Sequence, residues 1–233
     1  MKKYILLTIG TLFLSAAIFA QTGTAYGFKG GLTLGSQNWN GQEMEILFGY
    51  HGALSLETRD EELGISLFGD VGWHRKGSRR VFQSTVWVDQ SGNERELPRR
   101  GFKQPFDNVM LTIGAKKTGQ FTDFFNYYYG IGVHADYNVK YDVYFGNSDF
   151  FDQYINRITY GGSVVGGMEY LMNDTGAIYF ELSFHPDLSK QIFVPQGLSY
   201  IDPITNQQRN LNKQEVTNFV IEVSVGYKIF KWN

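Results

Sequence analysis

The chain of 233 residues has no cysteine, few prolines and little charge. Without cysteine the protein can form no disulfide bond, and it cannot carry a lipid anchor on an N-terminal cysteine. Charged residues make up 19% of the chain and aromatic residues 16%, which is a low charge and a high aromatic content for an ordinary soluble domain. The formal net charge of −2 shows no basic excess, so we expect no nucleic-acid partner.

Only one long apolar run occurs, and it lies at the N-terminus. Two lysines precede "YILLTIGTLFLSAAIF", and the small residues Ala17 and Ala20 stand where a signal peptidase cleaves. This order predicts a secretory signal peptide over residues 1–20. A retained membrane helix is the alternative, but the run is short and no charged stop follows it. No later stretch of 18 apolar residues exists, so residues 21–233 are predicted to be one exported domain without a spanning helix.

The rest of the chain alternates between apolar and polar or small residues, as in "YYYGIGVHADYNV". Successive side chains of a strand point to opposite faces, so this pattern predicts strands with one apolar and one polar face. Most runs exceed the average globular strand of about 5–6 residues and match the roughly 9–11 tilted residues that cross a bilayer. Eight such segments occur, at about 24–36, 45–58, 62–74, 107–117, 127–139, 158–171, 177–186 and 217–231.

The connections between these segments alternate in length. Those after the second, fourth and sixth segments are short, and the other four are long, at about 37–44, 75–106, 139–157 and 187–216. Short periplasmic turns and long outer loops are typical of bacterial outer-membrane barrels. We therefore predict an all-β fold, an eight-stranded antiparallel up-and-down transmembrane β-barrel in the outer membrane, with its apolar face toward lipid.

Several stretches resemble one family in their order and spacing. They are "YGFKGGLTLGS", "GWHRKGSRR", "YYYGIGVHADY", "GGSVVGGMEYL" and "VSVGYKIF", and they resemble the small PorT-like outer-membrane β-barrel family of Bacteroidota. The resemblance implies a barrel fold in the outer membrane. The family includes a member tied to type IX secretion, so a link to that pathway is implied as well. It supplies no catalytic motif.

The polar faces are predicted to line the barrel interior. Odd strands rise from the periplasm and even strands descend, so six charged residues should collect near the periplasmic end. An eight-stranded barrel is just wide enough for side chains to fill, and buried charges must pair. We therefore predict a salt-bridged plug, with a proton or ion path as the alternative. The six residues are Lys29, Glu57, Lys116, Glu169, Glu181 and Lys228.

The interior side also carries all four histidines of the chain, which are His51, His74, His134 and His185. Their spacing matches no familiar ligand pair, so we predict no metal site and no cofactor. The best hydrolase-like set is His185 with Ser183 or Ser163. Ser183 and His185 are next-but-one neighbours on one strand, a geometry that seldom aligns a nucleophile with its base. We therefore predict no catalytic residues.

Residues 75–104 form the most basic stretch outside the predicted strands, with Lys76 counted among its cations. Within it, "RVFQSTVWVDQ", "SGNE" and "RELPRR" predict a hairpin beyond the membrane. A cluster of cations there could contact lipopolysaccharide phosphates or an acidic partner, and a solvated loop is the alternative. The candidate contact residues are Arg79, Arg80, Arg99 and Arg100.

These observations favour a non-enzymatic outer-membrane barrel that acts as a scaffold or surface interaction protein. Outer-membrane lipid surrounds such a barrel, lipopolysaccharide is a candidate partner, and an envelope protein partner stays unnamed. Two alternatives are open. One is an outer-membrane lipid-modifying enzyme on the same barrel, and the other is a soluble periplasmic β-barrel that binds a small ligand.

Overall fold

A computed structural model describes residues 23–40, 43–60, 63–88, 92–142, 152–201, 208–210 and 212–232. The predicted signal peptide, residues 1–20, lies outside the described residues. The strands are β1 Gly23–Asn38, β2 Met44–Asp60, β3 Ile65–Phe82, β4 Thr85–Val88, β5 Glu94–Leu97, β6 Arg100–Gln120, β7 Phe125–Tyr141, β8 Ile158–Asn173, β9 Gly176–Pro186, β10 Ile192–Val194, β11 Ser199–Ile201, β12 Gln208–Asn210 and β13 Gln214–Trp232.

The eight long strands form a closed antiparallel ring. Their order is β1, β2, β3, β6, β7, β8, β9 and β13, and β13 pairs back onto β1. The closing ladder runs from Gly23 opposite Trp232 to Asn38 opposite Thr217. Because the ring closes, every barrel strand pairs with a neighbouring strand on both sides and no edge strand is left. Each of the eight predicted segments overlaps one of these strands, which confirms the predicted fold class.

The third and fourth barrel strands extend much further than their apolar pattern. We predicted segments 62–74 and 107–117, but the β3–β6 ladder continues from Ile65 opposite Lys117 to Phe82 opposite Arg100. The stretch assigned to a loop is therefore largely strand, with β4 and β5 forming the predicted hairpin beyond it. The predicted segments were too short because the outward side chains become polar after Trp73, whereas the backbone ladder continues to Phe82. We call residues 75–88 and 92–107 the arm.

The outer face of the ring is apolar and exposed. Phe48, Leu54, Ile131 and Val133 are each at least 65% exposed, and they belong to a belt that surrounds the barrel. Soluble monomers rarely expose a contiguous apolar surface of this size, whereas a barrel in lipid requires one. Among the described residues no helix is long and apolar enough to cross a bilayer.

Apolar side chains cover the interior at the end that carries the long connections. Trp39, Phe106, Ile155, Ile192, Val194 and Val216 form one buried cluster there, which we call the lid. The indole of Trp39 donates a hydrogen bond of 3.0 Å to Gln37 Oε1, so the lid rests directly on polar residues of the lumen. At the opposite end Ala25, Ala177 and Phe230 form a smaller cluster. The polar interior is thus enclosed between two apolar layers.

Candidate functional site

The six charged residues predicted for the periplasmic end of the interior are all buried. Each is at most 5% exposed, and they are Lys29, Glu57, Lys116, Glu169, Glu181 and Lys228. The alternation explains this placement, because each residue takes the inward position of its strand. Their ion pairs form two groups, one around Glu181 and one around Lys228.

Glu181 accepts hydrogen bonds from three side chains. Lys29 Nζ donates to Glu181 Oε1 and to Asp70 Oδ2, both at 2.6 Å. Lys116 Nζ donates to Glu181 Oε2 at 3.0 Å, and the Tyr128 hydroxyl donates to the same oxygen at 2.9 Å. One carboxylate therefore joins strands from opposite sides of the ring.

The second group is built around two carboxylates and two cations. Lys228 Nζ donates to Glu57 Oε2 at 2.8 Å and also contacts Glu169 Oε1. Arg59 Nη2 lies 3.1 Å from Glu57 Oε1 and 3.0 Å from Glu169 Oε2. Arg59 was not among the predicted interior residues, because the predicted strand ended at residue 58. Arg59 follows Glu57 by two residues on β2 and so shares its inward face. The alternation of the sequence could therefore have predicted its position.

With Arg59 and Asp70 added, these residues form what we call the lower network. It contains four cations, Lys29, Arg59, Lys116 and Lys228, and four carboxylates, Glu57, Asp70, Glu169 and Glu181. Aromatic rings pack against two of the cations, Lys116 and Lys228. Lys228 Nζ lies 5.0 Å from the centre of the Tyr128 ring and 4.8 Å from that of Tyr179. A charge-balanced, ring-packed layer has the composition of a plug.

A second polar layer, the upper cluster, lies between the lower network and the lid. All four histidines are buried in it, and three of them surround Glu222. His74 Nδ1 lies 2.9 Å from Glu222 Oε1. His185 Nε2 and His51 Nε2 lie 3.6 and 4.0 Å from Glu222 Oε2. The sequence correctly assigned these side chains to the interior, but it gave no indication that they meet at one carboxylate.

Lys76 belongs to this upper cluster, and its assignment to the basic loop was wrong. Its side chain is fully buried. Lys76 Nζ donates to Asp136 Oδ2 at 2.8 Å, to Asp187 Oδ2 at 2.9 Å and to Thr159 Oγ1 at 2.9 Å. Because β3 continues past residue 74, the inward side of the strand passes from His74 to Lys76. Asp187 follows β9 and was also missed.

One set of potential metal ligands occurs among the described residues. His134, Asp136 and Asp187 each offer a ligand atom, and these atoms lie within 4.8 Å of one another. The Lys76 ammonium, however, lies within 3 Å of both carboxylates. It already supplies the positive charge that the two carboxylates need, and it would repel a divalent cation placed beside it. The donor set therefore fits a resident lysine better than a metal ion.

Serine and histidine side chains also meet in the upper cluster. Ser163 Oγ lies 2.8 Å from His185 Nδ1 and 3.3 Å from His134 Nδ1. His134 Nε2 in turn lies 3.0 Å from Asp187 Oδ1. Ser183 Oγ has no hydrogen-bond partner among the described residues, so only one of the two candidate serines joins a histidine. Ser163 is 2% exposed.

The four candidate contact arginines all lie on the arm. Arg79 Nη1 is 3.5 Å from Glu45 Oε2, and Arg99 also pairs with Glu45. The Arg80 guanidinium lies 4.6 Å from the centre of the Phe82 ring, and partial burial lowers the pKa of Arg80 from its ordinary value. Arg100 is exposed opposite Phe82 in the ladder. The structure thus groups Arg79 with Arg99, and it places Arg80 and Arg100 on either side of Phe82.

No family model and no curated protein matches the chain. Among solved structures, OprG from Pseudomonas aeruginosa is similar with a TM-score of 0.50 at 11% identity, over 89% of this chain and 97% of that one. The protein has the fold of a small outer-membrane β-barrel. Neisserial surface protein A is similar with a TM-score of 0.48 at 10% identity, over 88% of this chain and 97% of that one. These likenesses concern the fold of the barrel alone, and membership of the PorT-like family stays a prediction.

Proposed function

We propose that this barrel is a non-enzymatic surface interaction protein that presents the arm above a closed lumen. The observation that carries the proposal is the filling of the interior. The lower network, the upper cluster and the lid succeed one another along the barrel, and the largest interior side chains, including Tyr179, Lys76 and Phe106, are under 2% exposed. A lumen packed in this way offers no path for a solute.

The same packing argues against an enzyme. The Ser163, His134 and Asp187 arrangement has distances that a hydrolase could use, but catalysis also requires that a substrate reach the nucleophile. Ser163 is held between His134 and His185 and lies below Trp39 and the rest of the lid. The hydrogen bonds of this set are satisfied within the protein, so its role is to fill and neutralise the interior.

The arm is where an interaction can occur. It carries a regular ladder beyond the apolar belt, from Arg75 opposite Asp107 to Phe82 opposite Arg100, and the β4–β5 hairpin extends it. A continuous ladder holds its side chains more rigidly than an irregular loop would. The barrel then serves as an anchor, and the arm serves as the presented surface.

Two measurements on the full chain test this proposal. Reconstituted in planar bilayers, the protein should show no single-channel current, and lipid A mass spectra from cells with and without it should be identical. Clear currents from the wild-type protein would overturn the closed-lumen interpretation. A new or missing acyl chain on lipid A would instead favour the lipid-modifying enzyme.

A link to type IX secretion is carried by the PorT-like resemblance alone. It is tested by comparing the secretion of a type IX cargo in cells that have lost the gene, cells that express the wild-type chain, and cells that express a chain without the hairpin. Loss of secretion in the first and third strains would tie the arm to that pathway.

A further inference from the structure

We propose that the base of the arm binds the phosphate groups of a phosphorylated glycolipid of the lipid A class, in the outer leaflet beside β2, β3 and β6. The inference rests on the proposed function and names the partner of its surface. The residues that carry it are Arg79, Arg99 and Lys103, which we call the basic rim, together with Arg75 just below them.

The height of these residues matches the headgroup layer. Outward side chains of β3 are apolar from Ile65 to Trp73, and the next two outward charges are Arg75 and Arg79. With about 3.3 Å per residue and a strand tilt of about 40°, each residue adds about 2.5 Å of height. Arg75 therefore lies about 25 Å above Ile65, which is the height of the apolar belt of such barrels, and Arg79 lies about 10 Å further out.

Arg75 marks the membrane interface on this side of the barrel. Its guanidinium lies 5.3 Å from the centre of the Tyr50 ring and 5.9 Å from that of Trp73. Two hydrogen bonds of 2.7 and 2.9 Å to Asp107 fix its orientation. Aromatic residues form girdles at both interfaces of such barrels. Asp107 balances the charge of Arg75. Arg75 therefore marks the level of the interface but adds no net positive charge to the basic rim.

The basic rim has more positive than negative charge. Arg79 and Lys103 are directly opposite each other in the β3–β6 ladder, a like-charge pair that destabilises a sheet unless an anion lies between the two. Arg79 and Arg99 share one carboxylate, Glu45. Among the residues that the structure describes, no carboxylate lies within 4.0 Å of Lys103. Three cations thus face one anion.

The side chain of Arg79 lies over the neighbouring strand, β6. A Cβ atom built on Gly101 would lie only 2.2 Å from Arg79 Nε, so the guanidinium lies flat across the glycine between Arg99 and Lys103. A planar guanidinium held in this way can give two parallel hydrogen bonds to one phosphate. The amino group of Lys103 on the same face adds a second cation for the same anion.

An apolar stripe directly below the basic rim favours a lipid over an acidic protein. On β2 the outward side chains that follow Glu45 are Ile46, Phe48 and Tyr50, each more than half exposed. Acyl chains would lie along this stripe while the phosphate lies against Arg79 and Lys103. A protein partner above the membrane would contact the cations but not the stripe, and phospholipid headgroups bring less phosphate to one place than a bisphosphorylated glycolipid.

The opposite side of the barrel supplies a matched control. Lys190 and Lys213 also share one carboxylate there, with Nζ at 2.5 and 2.8 Å from Glu215 Oε1, and these hydrogen bonds lower the pKa of Glu215. The pair matches Arg79 and Lys103 in number of charges and lies at the same end of the barrel. Loss of either pair changes the net charge of the protein by the same amount.

The experiment measures retention of bisphosphorylated lipid A by the full chain in nanodiscs, using native mass spectrometry. The Arg79→Gln/Lys103→Gln variant should bind at least about tenfold more weakly than wild type, because two charge-assisted contacts are lost. The Lys190→Gln/Lys213→Gln control should bind as wild type does. Wild type should also prefer bisphosphorylated to dephosphorylated lipid A, and raised salt should weaken that preference.

Three outcomes would overturn the proposal: equal binding by both variants and wild type, equal loss in both variants, or no preference for phosphate. Heat-modifiable migration on gels checks that each variant folds. Bilayer conductance of the same samples distinguishes failure of this proposal from failure of the proposed function. A current would count against the closed barrel. No preference for phosphate, in samples without a current, would count against the lipid partner alone.

Discussion

Replacement of Lys228 by methionine tests whether the lower network is packed or hydrated. Lys228 Nζ lies 2.8 Å from Glu57 Oε2, and both side chains are at most 2% exposed. Methionine keeps most of the length of the apolar stem but removes the ammonium group, which lies over the rings of Tyr128 and Tyr179. Glu57 and Glu169 are then left with Arg59 as their shared cation. Breaking a buried pair by removing one partner costs about 3–5 kcal/mol.

A second variant separates this cost from lost packing. In Lys228→Met/Glu57→Gln the lower network again has equal numbers of cations and carboxylates, and the pair of Arg59 with Glu169 at 3.0 Å is intact. We expect the double variant to recover at least about 2 kcal/mol of the loss, a coupling energy in the range found for contacting residues. Lys231→Met, an exposed site on the same strand, should change the free energy of unfolding by less than about 0.5 kcal/mol.

The assay is equilibrium unfolding by urea in lipid vesicles, followed by tryptophan fluorescence and by gel migration of the folded form. If water filled the lumen, the charges would be screened and each pair would be worth at most about 1 kcal/mol. A loss below about 1 kcal/mol in Lys228→Met, or a double variant less stable than the single one, would refute the packed network and with it the closed barrel.

Three further predictions concern the upper cluster, the arm and the lid. Zinc should not change the melting temperature of the wild type. It should raise the melting temperature of Lys76→Ala, because that change frees Asp136 and Asp187 to bind a metal ion. A zinc-dependent melting curve of the wild type would contradict this. Replacing residues 83–99 with a two-residue turn should leave a heat-modifiable barrel, since the β3–β6 ladder ends at that point. Trp39→Ala should lower unfolding stability by about 3–5 kcal/mol without opening a conductance, because the lower network still fills the lumen; bilayer currents from this variant would show that the lid alone closes the barrel.

The sequence could predict the ring of strands because alternation survives wherever one face meets lipid. It could also predict that Lys29 and Glu181 point inward. It could not show that they touch, since their contact depends on how far each strand is staggered around the ring, and they are 152 residues apart. Lys76 was missed for a different reason: from His74 to Arg80 neither face of β3 carries apolar side chains, so alternation gives no signal there.

The lid could not be predicted from the sequence either. Trp39, Ile155 and Ile192 come from separate connections and form no periodic pattern. Their burial follows only once the ring brings these connections over one opening. The arginines of the arm could be identified as a basic group from composition. The pairing of Arg79 with Glu45, however, depends on the ladder between β2 and β3, which carries a register shift between Ile46 and His51.

The lower network draws at least one hydrogen-bonding side chain from every strand of the ring, with Tyr128 representing β7. During assembly a partly formed sheet therefore carries charges whose partners have not yet arrived, and these favour water over the closing interior. A strand that entered two residues out of register would keep its apolar face toward lipid but would misplace its charge. In the correctly closed ring all eight charges have partners. A strand in the wrong register leaves buried charges unpaired, so the network disfavours incorrect strand registers.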